Sequence, residues 1–260
     1  NAMVLKHAPI TLGCGQDITE VFREAGTPEG LFCDLPMHVS DSPGIIAHRH
    51  IRGVTLTGSE VAGRAVAAEA GANLKKCVME LGGSDPYVVL EDADLDLAID
   101  KCVASRMLNC GQVCIAAKRL IVVDSLYERF RDGVLDRMAA IEMKDPTDNA
   151  SALGPMARED LRDGLHEQVQ RTIAAGSTLL MGGEIPDRDG WWYPPTVLDE
   201  VLPGEPAFDE ELFGPVACLT RARDESHALE LAGDSDLGLA GAVFTANREH
   251  GQEVASNDIH

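Results

Sequence analysis

The sequence predicts an α/β fold with much parallel sheet. Three observations carry this reading. Short β-prone runs alternate with helical patterns along the chain, the order expected of strand–helix–strand units. The 260 residues are 45% hydrophobic and 25% charged, an ordinary globular balance in a chain long enough to bury a substantial core. No internal repeat, low-complexity tract or Ser/Gly linker interrupts the pattern.

Taken in order, Val4-Leu5-Lys6 reads as a short strand ending at Lys6. Ile18, Val21 and Phe22 recur at helical spacing between Asp17 and Ala25, and Gly26-Thr27-Pro28 stops that helix. Ile45 to His50 reads as a short helix or loop. Val54-Thr55-Leu56 is β-prone, and Gly58-Ser59 then opens an Ala-rich helix from Val61 to Ala70. Lys76 to Leu81 and Pro86 to Leu90 read as strands, separated by Gly82-Gly83-Ser84, the sharpest boundary in the chain. Asp92-Ala93-Asp94 is an acidic helix start, favourable to the helix dipole, and Leu95, Ile99, Cys102 and Val103 form the stripe that follows. Leu120 to Val123 reads as a buried strand. Leu126 to Ile141 is an amphipathic helix with Phe130, Val134 and Met138 on one face, broken by Lys144-Asp145-Pro146. Leu161 to Ala175 and His227 to Ala232 read as helices. Thr178 to Met181, Leu219 to Ala222 and Gly241 to Thr245 read as strands.

A formal charge of −21 repels nucleic acid and anionic membrane surfaces, so neither partner is expected. No apolar run approaches the roughly 18 residues that a membrane span needs. The seven cysteines are odd in number and include no Cys-x-x-Cys pair, which predicts free thiols in a reducing cytoplasm and no metal site.

The richest stretch is Asn109-Cys110-Gly111-Gln112-Val113-Cys114. A thiol nucleophile needs an accessible thiolate, favoured near a helix N-terminus. Gly111 permits close backbone approach, and a helix starting at Val113 would lower the Cys114 thiol pKa through its dipole. Upstream, Glu80 ends an apolar strand before two glycines, where a carboxylate can serve as base. A thiol and a carboxylate are the minimum equipment for covalent chemistry on a carbonyl. Gly58-Ser59-Glu60-Val61-Ala62-Gly63 joins a strand to a helix and is the best pyrophosphate candidate in the chain. Lys6 after the first strand, and Glu211 and Phe213 in Glu210-Glu211-Leu212-Phe213-Gly214-Pro215, complete the candidates.

These motifs stand together in one order with Glu80-Leu81-Gly82-Gly83, Gly154-Pro155-Met156, Gly182-Gly183-Glu184 and Gly238-Leu239-Ala240. The combination resembles the aldehyde dehydrogenase superfamily, from Asn1 to about Val254. Lys6-His7-Ala8-Pro9, Glu80 to Pro86 and Cys114-Ile115-Ala116-Ala117-Lys118-Arg119 are similar to its bacterial succinate-semialdehyde dehydrogenase branch. The resemblance implies a partial Rossmann-type NAD(P)-binding domain over 1–81 and a catalytic domain, truncated at its C-terminus, over 82–260. It implies that Cys114 attacks a small aldehyde to give a thiohemiacetal and then a thioester. Glu80 then activates water, and NAD or NADP takes the hydride. Lys6 would bind the adenosine ribose or a 2′-phosphate. Gly58 and Ser59 would meet the pyrophosphate, Leu81 would lie by the cofactor, Glu211 would hold the nicotinamide ribose, and Phe213 would flank its ring. Homo-oligomers are implied for the full-length family.

Three departures qualify these expectations. The family's Pro-Trp-Asn motif, whose Asn shares the oxyanion hole with the nucleophile's own N–H, is not in these 260 residues. Loss of one such donor costs roughly 100- to 1,000-fold in rate, so weak turnover by a truncated chain is expected. The alternative is a non-catalytic nucleotide- or partner-binding protein on the same scaffold. The family's Gly-rich C-terminal segment is also missing. Finally, Leu108 stands where some succinate-semialdehyde enzymes place a substrate-binding Arg, with Arg106 and Lys118 nearby in sequence. Pro9 stands where NAD-preferring members often carry an acidic residue, which permits NADP.

Overall fold

The computed structural model describes residues 1–149 and 151–257. The chain divides into two compact units, Asn1–Leu81 and Gly82–His260.

The first unit holds β1 (Met3–Leu5), α1 (Leu12–Glu24), β2 (Phe32–Asp34), α2 (Ser42–Ala47), β3 (Gly53–Thr57), α3 (Glu60–Ala72) and β4 (Lys76–Glu80). β1 pairs in parallel with β2, and β3 with β4. Each pair is bridged by one long helix, as a parallel connection requires. Phe22 of α1 stacks on Phe32 of β2 with ring centroids 4.5 Å apart. α1 begins at Leu12, earlier than the apolar spacing predicts. Gly13 and Gly15 disguise its first turn; a Cβ at Gly15 would stand 2.8 Å from both His7 and Asp34, so those side chains would have to shift. α3 starts after Ser59, whose hydroxyl accepts the Ala62 N–H as an N-cap.

The second unit is built on β5 (Pro86–Val89), α4 (Leu95–Met107), β6 (Arg119–Val123), α5 (Asp124–Ala139), α6 (Glu159–Ala175), β7 (Thr178–Met181), β8 (Thr196–Asp199), α7 (Pro206–Asp209), β9 (Val216–Ala222), α8 (Glu225–Gly233), β10 (Ala242–Phe244) and α9 (Arg248–Asn257). Its sheet runs β10-β5-β6-β9-β8-β7. Every neighbouring pair is parallel except β7 and β8. Helices cover both faces. Val88, Ile121, Leu198 and Cys218 pack with Leu165 and Val169 of α6 and Leu231 of α8. Val89, Leu120, Val122 and Leu219, facing the other way, pack with Ile99 and Cys102 of α4 and Phe130 and Met138 of α5. Burial on both faces makes β6 read as one continuous apolar run.

Four elements go beyond the sequence pattern. β2 and β8 are short, and β8 carries only Val197 and Leu198 as apolar residues. α7 is one turn opened by Pro206. α9 buries only Gly251 and Val254, too few to show a periodic stripe.

Candidate active site

α4 ends at Met107, and the chain then turns through Leu108–Gly111. Asn109, Cys110 and Gly111 all take left-handed backbone angles, with φ of 51°, 58° and 70°. Such angles cost roughly 1–2 kcal/mol at a non-glycine residue. Gly111 has a second constraint: a Cβ there would lie 2.1 Å from the Gly214 carbonyl oxygen. The turn is tied on several sides. The Asn109 side chain donates to Gln112 O at 3.2 Å, and the Gln112 amide oxygen accepts the Ala157 N–H at 3.0 Å. Arg106 Nη2 donates to Gly111 O from inside.

Cys114 lies half-buried in the turn that follows, where the Ala116 N–H reaches Val113 O at 3.1 Å. No helix starts at Val113. The chain passes from this turn into β6 at Arg119, so the expected helix dipole does not act on the thiol. The cationic group near Cys114 is instead Lys118, which is 1% exposed. Its ammonium donates to Cys114 O at 2.6 Å and to Val113 O at 3.1 Å, and stands 3.4 Å from Glu211 Oε1. Burial pushes the Lys118 pKa down, while the neighbouring Glu211 carboxylate pulls it back up. Glu211 Oε1 also accepts the Gly83 N–H at 3.2 Å. A Cβ at Gly82 would stand 2.1 Å from Glu211 Oε2, so any larger residue there would displace the Glu211 carboxylate. Glu211 and Phe213 line one cavity of about 330 Å³ with Leu161, Leu165, Gln168 and Arg171.

The structure therefore joins Glu211 to the Cys114 loop through Lys118, a residue that sequence reasoning noted only as a neighbour. Arg106, noted with it, is fully buried and serves the turn rather than a substrate. Its pKa is pushed down to about 10 by burial, and no partner among the described residues meets its Nε or Nη1. Cys110 donates to Gly154 O at 3.2 Å, and burial pushes its thiol pKa up.

The remaining candidates belong to the first unit. Glu80 is the exposed last residue of β4, in register with Thr57 of β3. Its carbonyl accepts the Gly58 N–H at 3.0 Å, so that N–H is already in use. A Cβ at Gly58 would meet only ordinary contacts of 3.8–3.9 Å; the packing of the chain itself does not demand glycine there. Gly63 differs: Leu81 packs on it so closely that a Cβ would lie 2.5 Å from a Leu81 methyl carbon. Lys6 Nζ donates to His7 O at 2.9 Å. Among the described residues no group of three or more His, Cys, Asp or Glu side chains is arranged to hold a metal, and no helix is long and apolar enough to cross a membrane.

The sequence profile of the aldehyde dehydrogenase family matches residues 1–258. The chain is 50% identical over 256 residues to Escherichia coli succinate semialdehyde dehydrogenase [NAD(P)+] Sad, covering 98% of this chain and 55% of that protein. It is 44% identical to a Deinococcus radiodurans succinate-semialdehyde dehydrogenase [NADP(+)], covering 98% of this chain and 54% of that one. The crystal structure of succinic semialdehyde dehydrogenase from Streptococcus pyogenes in complex with NADP+ superposes with a TM-score of 0.96 at 37% identity, over 100% of this chain and 57% of that one. The chain thus spans about half the length of the relatives it matches. The ordered motifs, the two-unit α/β architecture and these likenesses agree: the chain belongs to the aldehyde dehydrogenase family.

Proposed function

We propose that this chain carries the thiol and cofactor residues of an NAD(P)-dependent aldehyde dehydrogenase acting on a small aldehyde, succinate semialdehyde first. One observation carries the reading. Cys114 follows a turn with three consecutive left-handed residues, and a buried ammonium supports its own backbone. A cysteine that only filled space would need neither. The identity to the succinate-semialdehyde relatives supports the substrate class.

In this reading the Cys114 thiolate adds to the aldehyde carbon, forming a C–S bond and an oxyanion that the Cys114 N–H stabilises. A bound nicotinamide would supply the acceptor for the hydride on that carbon, and Cys114 would then hold the acyl group as a thioester. Glu80 removes a proton from water, hydroxide attacks the thioester carbon, and the C–S bond breaks to release the acid and restore the thiolate. Residues 1–81 would serve as part of the cofactor domain and 82–260 as the catalytic one. Lys6 would hold the adenosine ribose or its 2′-phosphate. The start of α3, with Ser59, would face the pyrophosphate, with Leu81 alongside. Gly58 fits a place where a ligand must come close, because internal packing does not require a glycine there. Glu211 would hold the nicotinamide ribose and Phe213 would flank the ring. For the full-length enzyme we propose a homo-oligomer in the cytoplasm.

The test addresses the thiol before turnover, since the chain holds 55% of the length of its E. coli relative. A brief iodoacetamide pulse at neutral pH, read by peptide mass spectrometry, should alkylate Cys114 ahead of the other six cysteines, and NADP+ should stabilise the chain against heat. Labelling of Cys114 no faster than the exposed Cys14 and Cys77 would refute the nucleophile role. With NADP+ stabilisation retained, that result would favour a non-catalytic nucleotide-binding protein.

A further inference from the structure

We infer that Lys118 is a positioning residue for this site: one buried ammonium aims the Cys114 N–H and holds Glu211 at the same time. The inference rests on the reading of Cys114 as nucleophile and assigns a role to a residue outside the chemistry itself.

No peptide bond among the described residues is cis, so the Val113 carbonyl and the Cys114 N–H lie on opposite sides of one planar unit. Lys118 Nζ holds the Val113 oxygen at 3.1 Å. The Cys114 N–H is therefore turned away from Lys118. The same ammonium holds Cys114 O at 2.6 Å, so it grips both peptide planes that flank the Cys114 Cα. Rotation of either plane would break one of these bonds. The third acceptor is Glu211 Oε1 at 3.4 Å. An ammonium has three N–H donors, and three acceptors face this one. A neutral side chain would leave some of these acceptors unmatched. The charges that act most strongly on Lys118 are Glu211, Arg106 and Asp85. Of these, Arg106 donates instead to Gly111 O.

A group that aims an oxyanion donor should matter for attack on a carbonyl and not for simple alkylation. The unmodified chain, Lys118→Met and Lys118→Arg are to be treated with two reagents. With iodoacetamide, the Cys114 thiolate forms an S–C bond as iodide leaves, and no oxyanion arises. With p-nitrophenyl acetate, the thiolate adds to the acyl carbon, the carbonyl oxygen carries the charge, and p-nitrophenolate leaves as the thioester forms. Both products are followed on the Cys114 peptide by mass, and p-nitrophenolate by absorbance.

Lys118→Met should slow acylation by about 10-fold relative to alkylation, short of the roughly 100- to 1,000-fold that outright loss of an oxyanion donor costs. Lys118→Arg, which keeps a charged donor at this position, should bring the ratio closer to that of the unmodified chain than Lys118→Met does. Equal effects of Lys118→Met on both reactions, or none on either, would overturn the positioning role while leaving Cys114 as nucleophile. Failure of the unmodified chain to label Cys114 first would instead refute the nucleophile reading. Should Lys118→Met not fold, Lys118→Gln carries the same comparison, with an intermediate ratio expected and equal effects again fatal.

Discussion

Gly111→Ala tests how much of the Cys114 loop depends on one missing methyl group. Two costs add. At φ +70° an alanine sits in the left-handed region, which costs roughly 1–2 kcal/mol. Its Cβ would lie 2.1 Å from Gly214 O, 2.4 Å from Gly214 C and 2.9 Å from Pro215 N. All three are backbone atoms, so no flexible side chain can swing away, and overpacking of this kind costs roughly 1–3 kcal/mol. The expected destabilisation is therefore about 2–5 kcal/mol. At roughly 2–4 °C per kcal/mol for a unit of this size, Tm should fall by about 4–20 °C. Urea unfolding followed by far-UV circular dichroism measures it. Gly164→Ala is the matched control: it is an exposed α6 position where a Cβ meets nothing within 4 Å, and it should gain roughly 0.5–1 kcal/mol. A Gly111→Ala loss below about 1 kcal/mol would show that the loop can shift away from Gly214, and the rigidity assigned to the Cys114 turn would fail.

Three further predictions concern the second unit. Tyr127 is fully buried, its hydroxyl donates to Asp199, and burial holds its pKa above the ordinary tyrosine value. Its contribution is complete below the unfolded tyrosine pKa near about 10 and is lost as pH rises beyond that. Tyr127→Phe should cost about 1–3 kcal/mol at pH 7 and flatten the decline of stability above about pH 10; an unchanged alkaline slope would exclude this residue as the source. Asp85 is buried with its Oδ1 accepting the Ala240 N–H at 3.1 Å, and burial holds its pKa above the usual carboxylate range. A raised carboxyl pKa means that stability is lost as pH rises above the unfolded value of about 4, so Asp85→Asn should gain on the unmodified chain as pH rises from there. Parallel stability curves for the two chains above about pH 4 would contradict it. Burial also raises the thiol pKa of Cys102, and that of Cys218 to about 12. Neither should react with iodoacetamide at pH 8 until urea unfolds the chain, and native labelling at the rate of exposed Cys14 would contradict their burial.

Much of the architecture is legible in neighbouring residues. β6 declares itself because burial on both faces selects an unbroken apolar run, Leu120 to Val123. α5 shows its inner face through Phe130, Val134 and Met138. β8 is equally buried yet hidden, because Thr196 and Asp199 satisfy themselves through specific hydrogen bonds: Thr196 Oγ1 accepts the Gly183 N–H and Asp199 meets Tyr127. Nothing in the local sequence announces such partners. Arg119 makes the same point. It looks like a surface residue, yet it is buried and donates to Leu231 O and Ala232 O at the end of α8, and to Ser84 O.

The sequence by itself determined the α/β class, most helices and strands, the family and the importance of the Asn109–Cys114 stretch. These depend on periodicity and on residues adjacent in the chain. Only the tertiary structure decided that no helix follows Val113, that Lys118 lies beneath Cys114, and that Glu211 shares that ammonium with the Val113 and Cys114 carbonyls. The reason is physical. Lys118 is buried where Glu211, distant in sequence, converges with the nearby Val113 and Cys114 carbonyls to supply its partners, and that convergence is a property of packing rather than of local pattern.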